Sequence, residues 1–164
     1  LRAEMPNLRV LIAGPVDGVD VTDTWIIHLG AVPQQDVPRL IHACDVVTIP
    51  YANDPFNSMA GACKIAEYLA CGRPVVATRV SNHEELFRDA PGSICDPDAN
   101  SMAEALRRQL RTPEIAPFPE GMTWETIGLT ETLTVAQADP PTHAHVLEFD
   151  RGMAIYLPLV MRNF

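Results

Sequence analysis

Basic residues are scarce in this chain: 12 lysines and arginines stand against 21 aspartates and glutamates, a net charge of −9. No basic stripe is available to neutralise a phosphate backbone, which argues against nucleic-acid binding but not against one anionic ligand held locally. Long apolar runs are missing too. None reaches the roughly 18 residues of a membrane-spanning helix, and no signal peptide opens the sequence. Cysteine occurs only at positions 44, 63, 71 and 95, without a C-x-x-C pair. That spacing is too loose for a zinc site. The four read as free thiols in or near a core, and reduced thiols fit a cytoplasmic protein. No G-x-S-x-G, Walker loop or G-x-G-x-x-G occurs, so hydrolase, P-loop and dinucleotide readings lack their signatures. No internal repeat or low-complexity tract is present.

What remains is an ordinary globular composition, 47% hydrophobic and 20% charged over 164 residues, enough for one domain and a sizeable core. The opening "LRAEMPNLRVLIAGP" reads as the end of a helix followed by a strand, and we expect the chain to be a piece of something longer. "LRVLIAG" (8–14) is a continuous apolar run closed by glycine, the pattern of a strand buried on both faces. "WIIHLG" (25–30), "DVVTIP" (45–50), "RPVVAT" (73–78) and "GSICD" (92–96) read as four more strands. Between them, "QQDVPRLIHACD" places Val37, Leu40, Ile41 and Cys44 at helical spacing, with Asp36 as N-cap and Pro38 in the first turn. A helix over about 60–71 stops at Gly72. "SNHEELFRDA" gives a short helix capped by Ser81 or Asn82, and "DPDANSMAEALRRQLR" an amphipathic one with Met102, Leu106 and Leu110 on one side. Strands alternating with helices from residue 8 to 110 predict an α/β fold: a Rossmann-like parallel sheet with helices on both faces.

After Arg111 the alternation fails. "TPEIAPFPEGM" has three prolines in seven residues and reads as a loop. "TWETIGLTETLTVAQ" is a candidate helix with Thr123 as cap and Ile127 on its apolar side. "ADPPTHAHVLEFDRG" is loop-like, and "MAIYLPLVMRNF" is a candidate strand, interrupted by Pro158, for which the sequence offers no partner. The organisation expected is one domain over 1–112 and, over 113–164, a loop, a helix and an irregular tail.

Ligands sit at the carboxyl ends of parallel strands. Three such ends carry suggestive residues: Gly14-Pro15, Pro50 to Gly61, and Thr78 to Asn82. The middle one feeds a helix that opens with Ala60, Gly61 and Ala62. Small side chains there let a phosphate approach free backbone N–H groups, and the helix dipole favours negative charge. Lys64 adds a point charge, and Glu67, three residues on, shares its face. A carboxylate in that position is suited to accept hydrogen bonds from a diol such as a ribose. An exposed i,i+3 ion pair with no ligand accounts for the same spacing. His28 and His42 read as packed or surface groups. "HAH" (143–145) lacks a third metal ligand. Trp25 and Trp124 read as packing residues, and Asn82, His83, Glu84 and Glu85 as a solvated helix start.

"KIAEYLACGRPVVAT" resembles the donor-site segment of GT-B type glycosyltransferases, family 4 in particular, where K-x-x-E-Y-x-A-x-G-x-P-V-V recurs. "IIHLGAVPQQDVPRLIHACDVVTIP" and "RVSNHEELFRDAPGSICDPDANSMAEAL" resemble the preceding and following units of that family, so the likeness runs from about residue 6 to 127. The resemblance implies the C-terminal, nucleotide-sugar-binding half of a GT-B fold, incomplete at its start. It implies the donor part of a retaining glycosyltransferase working in glycan biosynthesis, inactive alone, with no bound metal and no cofactor beyond the nucleotide-diphosphate sugar. Glu67 matches the carboxylate on the donor ribose, and backbone N–H groups around Gly61 and Ala62 match those on the diphosphate. Lys64 falls near the phosphates or sugar, Asn57 and Ser58 in the loop that leads into them, and Leu29 to Val32 near the base. A missing N-terminal acceptor domain is the implied partner and the only implied route to a membrane surface. The chain departs from the pattern at Met59, where many members have a second glutamate, and at Asp54-Pro55-Phe56, an E-P-F-like triplet 13 residues before Glu67. Rival readings are another GT-B enzyme such as a nucleotide-sugar epimerase, or a non-catalytic α/β binding module.

Overall fold

The structure, a computed structural model, describes residues 1–16, 18, 20–59, 63–119, 121–123 and 157–163. Five strands run parallel: β1 (Leu8–Ala13), β2 (Ile26–His28), β3 (Val46–Ile49), β4 (Val75–Thr78) and β5 (Ile94–Cys95). Five α-helices lie between or after them: α1 (Val37–His42), α2 (Pro55–Met59), α3 (Cys63–Ala70), α4 (His83–Leu86) and α5 (Ala99–Arg111). Each strand is shorter than the apolar run that predicts it. β3 and β4 are buried at every residue, as their unbroken Val/Ile/Ala sequences require of strands covered on both faces.

Alternation along these strands builds two cores. Val47 and Ile49 of β3 and Val75 and Ala77 of β4 pack with Val37 and Ile41 of α1, Ile65, Tyr68 and Leu69 of α3, and Phe87. Val46 and Val76, pointing the other way, join Leu8, Val10 and Ile12 of β1 and Ala105 and Leu106 of α5. Helices therefore cover both faces, as the sequence predicts. Asp98 caps α5, its carboxylate accepting from the N–H groups of Asn100 (2.9 Å) and Ser101 (3.0 Å), and Met102 and Leu110 flank the second core with Leu106. Arg107 donates two bonds, 2.8 and 2.9 Å, to the Glu4 carboxylate and ties the opening turn to α5. Gly72 takes φ +61° just after α3, a left-handed stop that a side chain would strain.

Four expectations need correction. Asp36 and Asn82 occupy N-cap positions but make no side-chain cap bond; Asp36 instead lies 3.8 Å from Arg39. The stretch before α3 is not all loop, because α2 forms there. Its signal is in the sequence: Pro55 supplies a preset φ at the first helical position, and Asp54 accepts the Asn57 N–H at 2.8 Å. The segment over 81–85 is not a solvated helix start throughout, since His83 is fully buried.

The fourth concerns the last strand, which has two partners. β6 (Leu157–Asn163) lies in the middle of the sheet, whose order is β2-β1-β6-β3-β4-β5. It runs antiparallel to both neighbours, so the sheet is mixed rather than wholly parallel. The expected helix over 123–137, Trp124, Ile127 and the two histidines of "HAH" lie outside the described residues.

Candidate functional site

The carboxyl ends of the strands are held together by backbone-directed bonds. Gly14 ends β1, donating its N–H to the Gly30 carbonyl at 2.7 Å and accepting from His28 Nε2 at 2.8 Å. Thr78, buried at the end of β4, donates its hydroxyl to the Tyr51 carbonyl at 2.8 Å, which fastens the loop after β3 to the neighbouring strand. Beside it a hollow of about 280 Å³ is lined by Pro50, Tyr51, Thr78, Asp98 and Met102. Lys64 and Glu67 lie outside that lining.

His83 closes the floor. Its Nδ1 is 2.8 Å from the Thr78 carbonyl, which can only accept, so the proton sits on Nδ1. The ring is tilted against Tyr51 with centroids 5.7 Å apart. Nε2 is buried and, among the described residues, without a hydrogen-bond partner. Burial holds the imidazole below its ordinary value of 6.5, only partly opposed by the bond to Thr78. Above that value both folded and unfolded chains are neutral here. As pH falls below it the unfolded chain takes up the proton first, and stability is lost until the depressed folded value is reached. The loss amounts to at most about 1.4 kcal/mol per pH unit. Urea midpoints are expected to fall between about pH 7.5 and pH 5.5, and His83→Asn, which keeps a donor toward Thr78 but cannot titrate, is expected to flatten that slope. An unchanged slope would assign the acid sensitivity elsewhere.

On α3, Ile65, Tyr68 and Leu69 form the buried stripe, and Lys64 and Glu67 stand half-buried beside it. Glu67 is the sequence-predicted residue with the most distinctive surroundings. Its Oε2 is buried with no partner among the described residues. Burial pushes its carboxyl pKa up, and the charge of Lys64 pulls it partly back. Glu67 in turn raises the pKa of the Cys71 thiol one turn on, whose own burial is the larger cause. Lys64 is the only lysine in the sequence.

The other predicted donor residues behave differently. Asn57 donates through Nδ2 to Asp54 Oδ2 (2.6 Å) and to the Ala52 carbonyl (3.1 Å), and Ser58 donates to the Asp54 carbonyl (2.8 Å). These groups hold the turn that starts α2. Asp54, the E-P-F-like acid, is thereby committed to capping. Gly61 and Ala62 lie outside the described residues. Phe56 and Met59, one turn apart on α2, are 81% and 87% exposed. Among the described residues no group of three or more histidines, cysteines or acids is placed to hold a metal, and no helix is long and apolar enough to cross a membrane.

Comparison with known proteins places this arrangement. The family model described as glycosyl transferases group 1 matches residues 1–112. The chain is 35% identical over 88 residues to an O-antigen chain mannosyltransferase B of Escherichia coli, covering 53% of this chain and 22% of that protein. It is 35% identical over 83 residues to a D-inositol 3-phosphate glycosyltransferase of Saccharomonospora viridis, 49% of this chain and 18% of that one. A D-inositol 3-phosphate glycosyltransferase of Mycobacterium marinum is 26% identical over 126 residues, 67% of this chain and 26% of its own length. The chain thus spans roughly a quarter or less of these relatives. With a family match across the whole alternating β/α region, the chain belongs to the glycosyl transferases group 1 family.

Proposed function

We propose that this chain is the donor-binding, C-terminal part of a retaining GT-B glycosyltransferase, which transfers a sugar from a nucleotide-diphosphate sugar to an acceptor. The observation that carries the reading is Glu67: a partly desolvated carboxylate with one buried, unpartnered oxygen, one turn from the only lysine. Desolvating an acid without a bond costs stability, and a ligand diol would return those bonds. In this reading Glu67 accepts from the ribose hydroxyls. Lys64 and the N–H groups of Gly61 and Ala62 hold the diphosphate, with Asn57 and Ser58 shaping the loop beside them. Stabilising the departing diphosphate is the catalytic contribution. No metal takes part. The acceptor and any base belong to a domain outside these 164 residues, and the exposed Phe56–Met59 face of α2 is the surface it would cover. The chain alone binds nucleotide weakly and transfers no sugar.

The test is calorimetric titration of uridine and guanosine diphosphates into the wild-type chain, Glu67→Gln and Glu67→Ala. Charge-assisted bonds contribute about 1.5–3 kcal/mol each, so Glu67→Ala is expected to weaken binding by about ten- to a hundredfold, with the glutamine between. Binding is also expected to fade as pH drops toward the raised carboxyl pKa, because the diol needs the ionised acceptor. Nucleotide should slow acylation of Lys64. Binding indifferent to Glu67, or no binding at all, would leave a non-catalytic α/β module.

A further inference from the structure

We propose that the slot between β1 and β3 is a docking surface for residues 157–163 of a second copy of this chain, so that two molecules exchange β6. The sheet order shows why the slot must be filled. β1 and β3 do not pair with each other; β6 alone joins the β2–β1 pair to the β3–β4–β5 half. The residues flanking it, Leu8 and Val10 on one side and Val46 and Val47 on the other, are buried core. An empty slot would leave two strand edges open, and open edges recruit strands.

The present occupant fits the slot loosely. It runs antiparallel in a sheet otherwise parallel. Its ladder to β3 engages only Val46 and Val47 of that strand. Against β1 the register slips between Leu11 and Ala13, so residues 158 and 159 of β6 share the space opposite Ile12. That is a bulge, and it falls on Pro158, which has no N–H to give to a ladder. Proline is ordinarily confined to edges and bulges, and here it interrupts a central strand.

The bonds that seat β6 are main-chain bonds, so a second copy's β6 makes the same ladder. In sequence, β6 follows α5 only after residues 112–156. A stretch the length of 124–156 spans at most about 110 Å when extended, several times a domain radius. Reciprocal exchange leaves no slot open in either molecule and closes the pair as a two-fold dimer. The inference rests on sheet topology alone and stands whether or not the site on α3 binds nucleotide.

The register supplies the test. Leu11 faces Val160 across the ladder, and directly opposed residues of an antiparallel pair sit within disulfide range. Full-length Leu11→Cys and Val160→Cys chains are unfolded, mixed, refolded under reduction at several concentrations and then oxidised. Peptide mass mapping reads the 11–160 link apart from any made by the native thiols. Exchange predicts a mixed 11–160 disulfide between the two chains whose share rises with protein concentration. For the unsubstituted chain it predicts a light-scattering mass that doubles over the same range. Two results overturn the proposal: an 11–160 bond that forms only within a doubly substituted chain, or no 11–160 bond at all. A mass that stays monomeric at every concentration does the same without any substitution.

Discussion

Tyr68→Ala is expected to cost about 3–5 kcal/mol, the range for deleting a large aromatic from a core, whereas Tyr68→Phe should cost nothing or stabilise. Tyr68 is fully buried on α3 among Ile41, Val47, Ile65 and Phe87. It is therefore in contact with both the sheet and the neighbouring helices, and its loss opens a cavity that strands on one side cannot collapse to fill. With total stabilities of about 5–15 kcal/mol for a domain, this loss is a large fraction of the whole. The hydroxyl is a different matter. It is buried with no partner among the described residues, and burial drives its pKa well above the ordinary phenol value, so it stays neutral. An unsatisfied buried hydroxyl carries a penalty of about 1–3 kcal/mol that phenylalanine removes. Urea unfolding of the full chain separates the two effects. A Phe variant as damaged as the Ala variant would mean that the hydroxyl is bonded and that the packing argument is wrong. The substitution also bears on the candidate site, because Tyr68 anchors the turn that presents Glu67. Tyr68→Ala should weaken nucleotide binding, and Tyr68→Phe should not.

Strands and helices up to residue 111 were legible because their causes are local. Unbroken runs such as "VVTI" and "VVAT" can only be strands covered twice, and Gly72 and Asp98 carry the stop and start of α3 and α5 in their own chemistry. The place of β6 was not legible, because partner choice is not written in "LPLVMRN". Pro158 argues locally against a central strand, and only the gap between β1 and β3 overrides it. α2 was missed although Asp54-Pro55 is a helix-start signal, since the loop reading of its neighbours absorbed it.

The candidate site divides the same way. Lys64 and Glu67 were found by helical spacing, but the unpartnered oxygen that distinguishes Glu67 from a surface pair is a tertiary fact. His83 was hidden for the opposite reason. Its neighbours Asn82, Glu84 and Glu85 are those of a solvated helix start, yet the end of β4 and Tyr51 close over the imidazole. Gln109 could have been found: it continues the Met102–Leu106 face of α5 and is polar, and a polar residue on an apolar stripe asks for partners.

Those partners make Gln109→Ala the second large effect, about 2–4 kcal/mol. The side chain is buried, donates through Nε2 to Ser93 Oγ at 3.2 Å, and accepts the Glu114 N–H on Oε1 at 2.8 Å. Glu114 then turns back to accept the Gly92 N–H at 2.8 Å, and Arg108 donates to the Gly92 carbonyl at 2.8 Å. The network fastens the turn before β5, and the chain after α5, to the last turns of that helix. Removing Gln109 leaves Ser93 and an amide N–H without partners in a closed space, and each such group costs about 1–3 kcal/mol. Glu114→Ala releases only the Gly92 amide and should cost about 1 kcal/mol. Gly92→Ala should reproduce that loss from the other side, because a Cβ there would meet the Glu114 carboxyl at 2.7 Å. The double variant Gln109→Ala/Glu114→Ala is expected to lose less than the sum of the singles, since both act through the same turn. Strict additivity in urea unfolding would show the two bonds to be independent and the network description to be wrong.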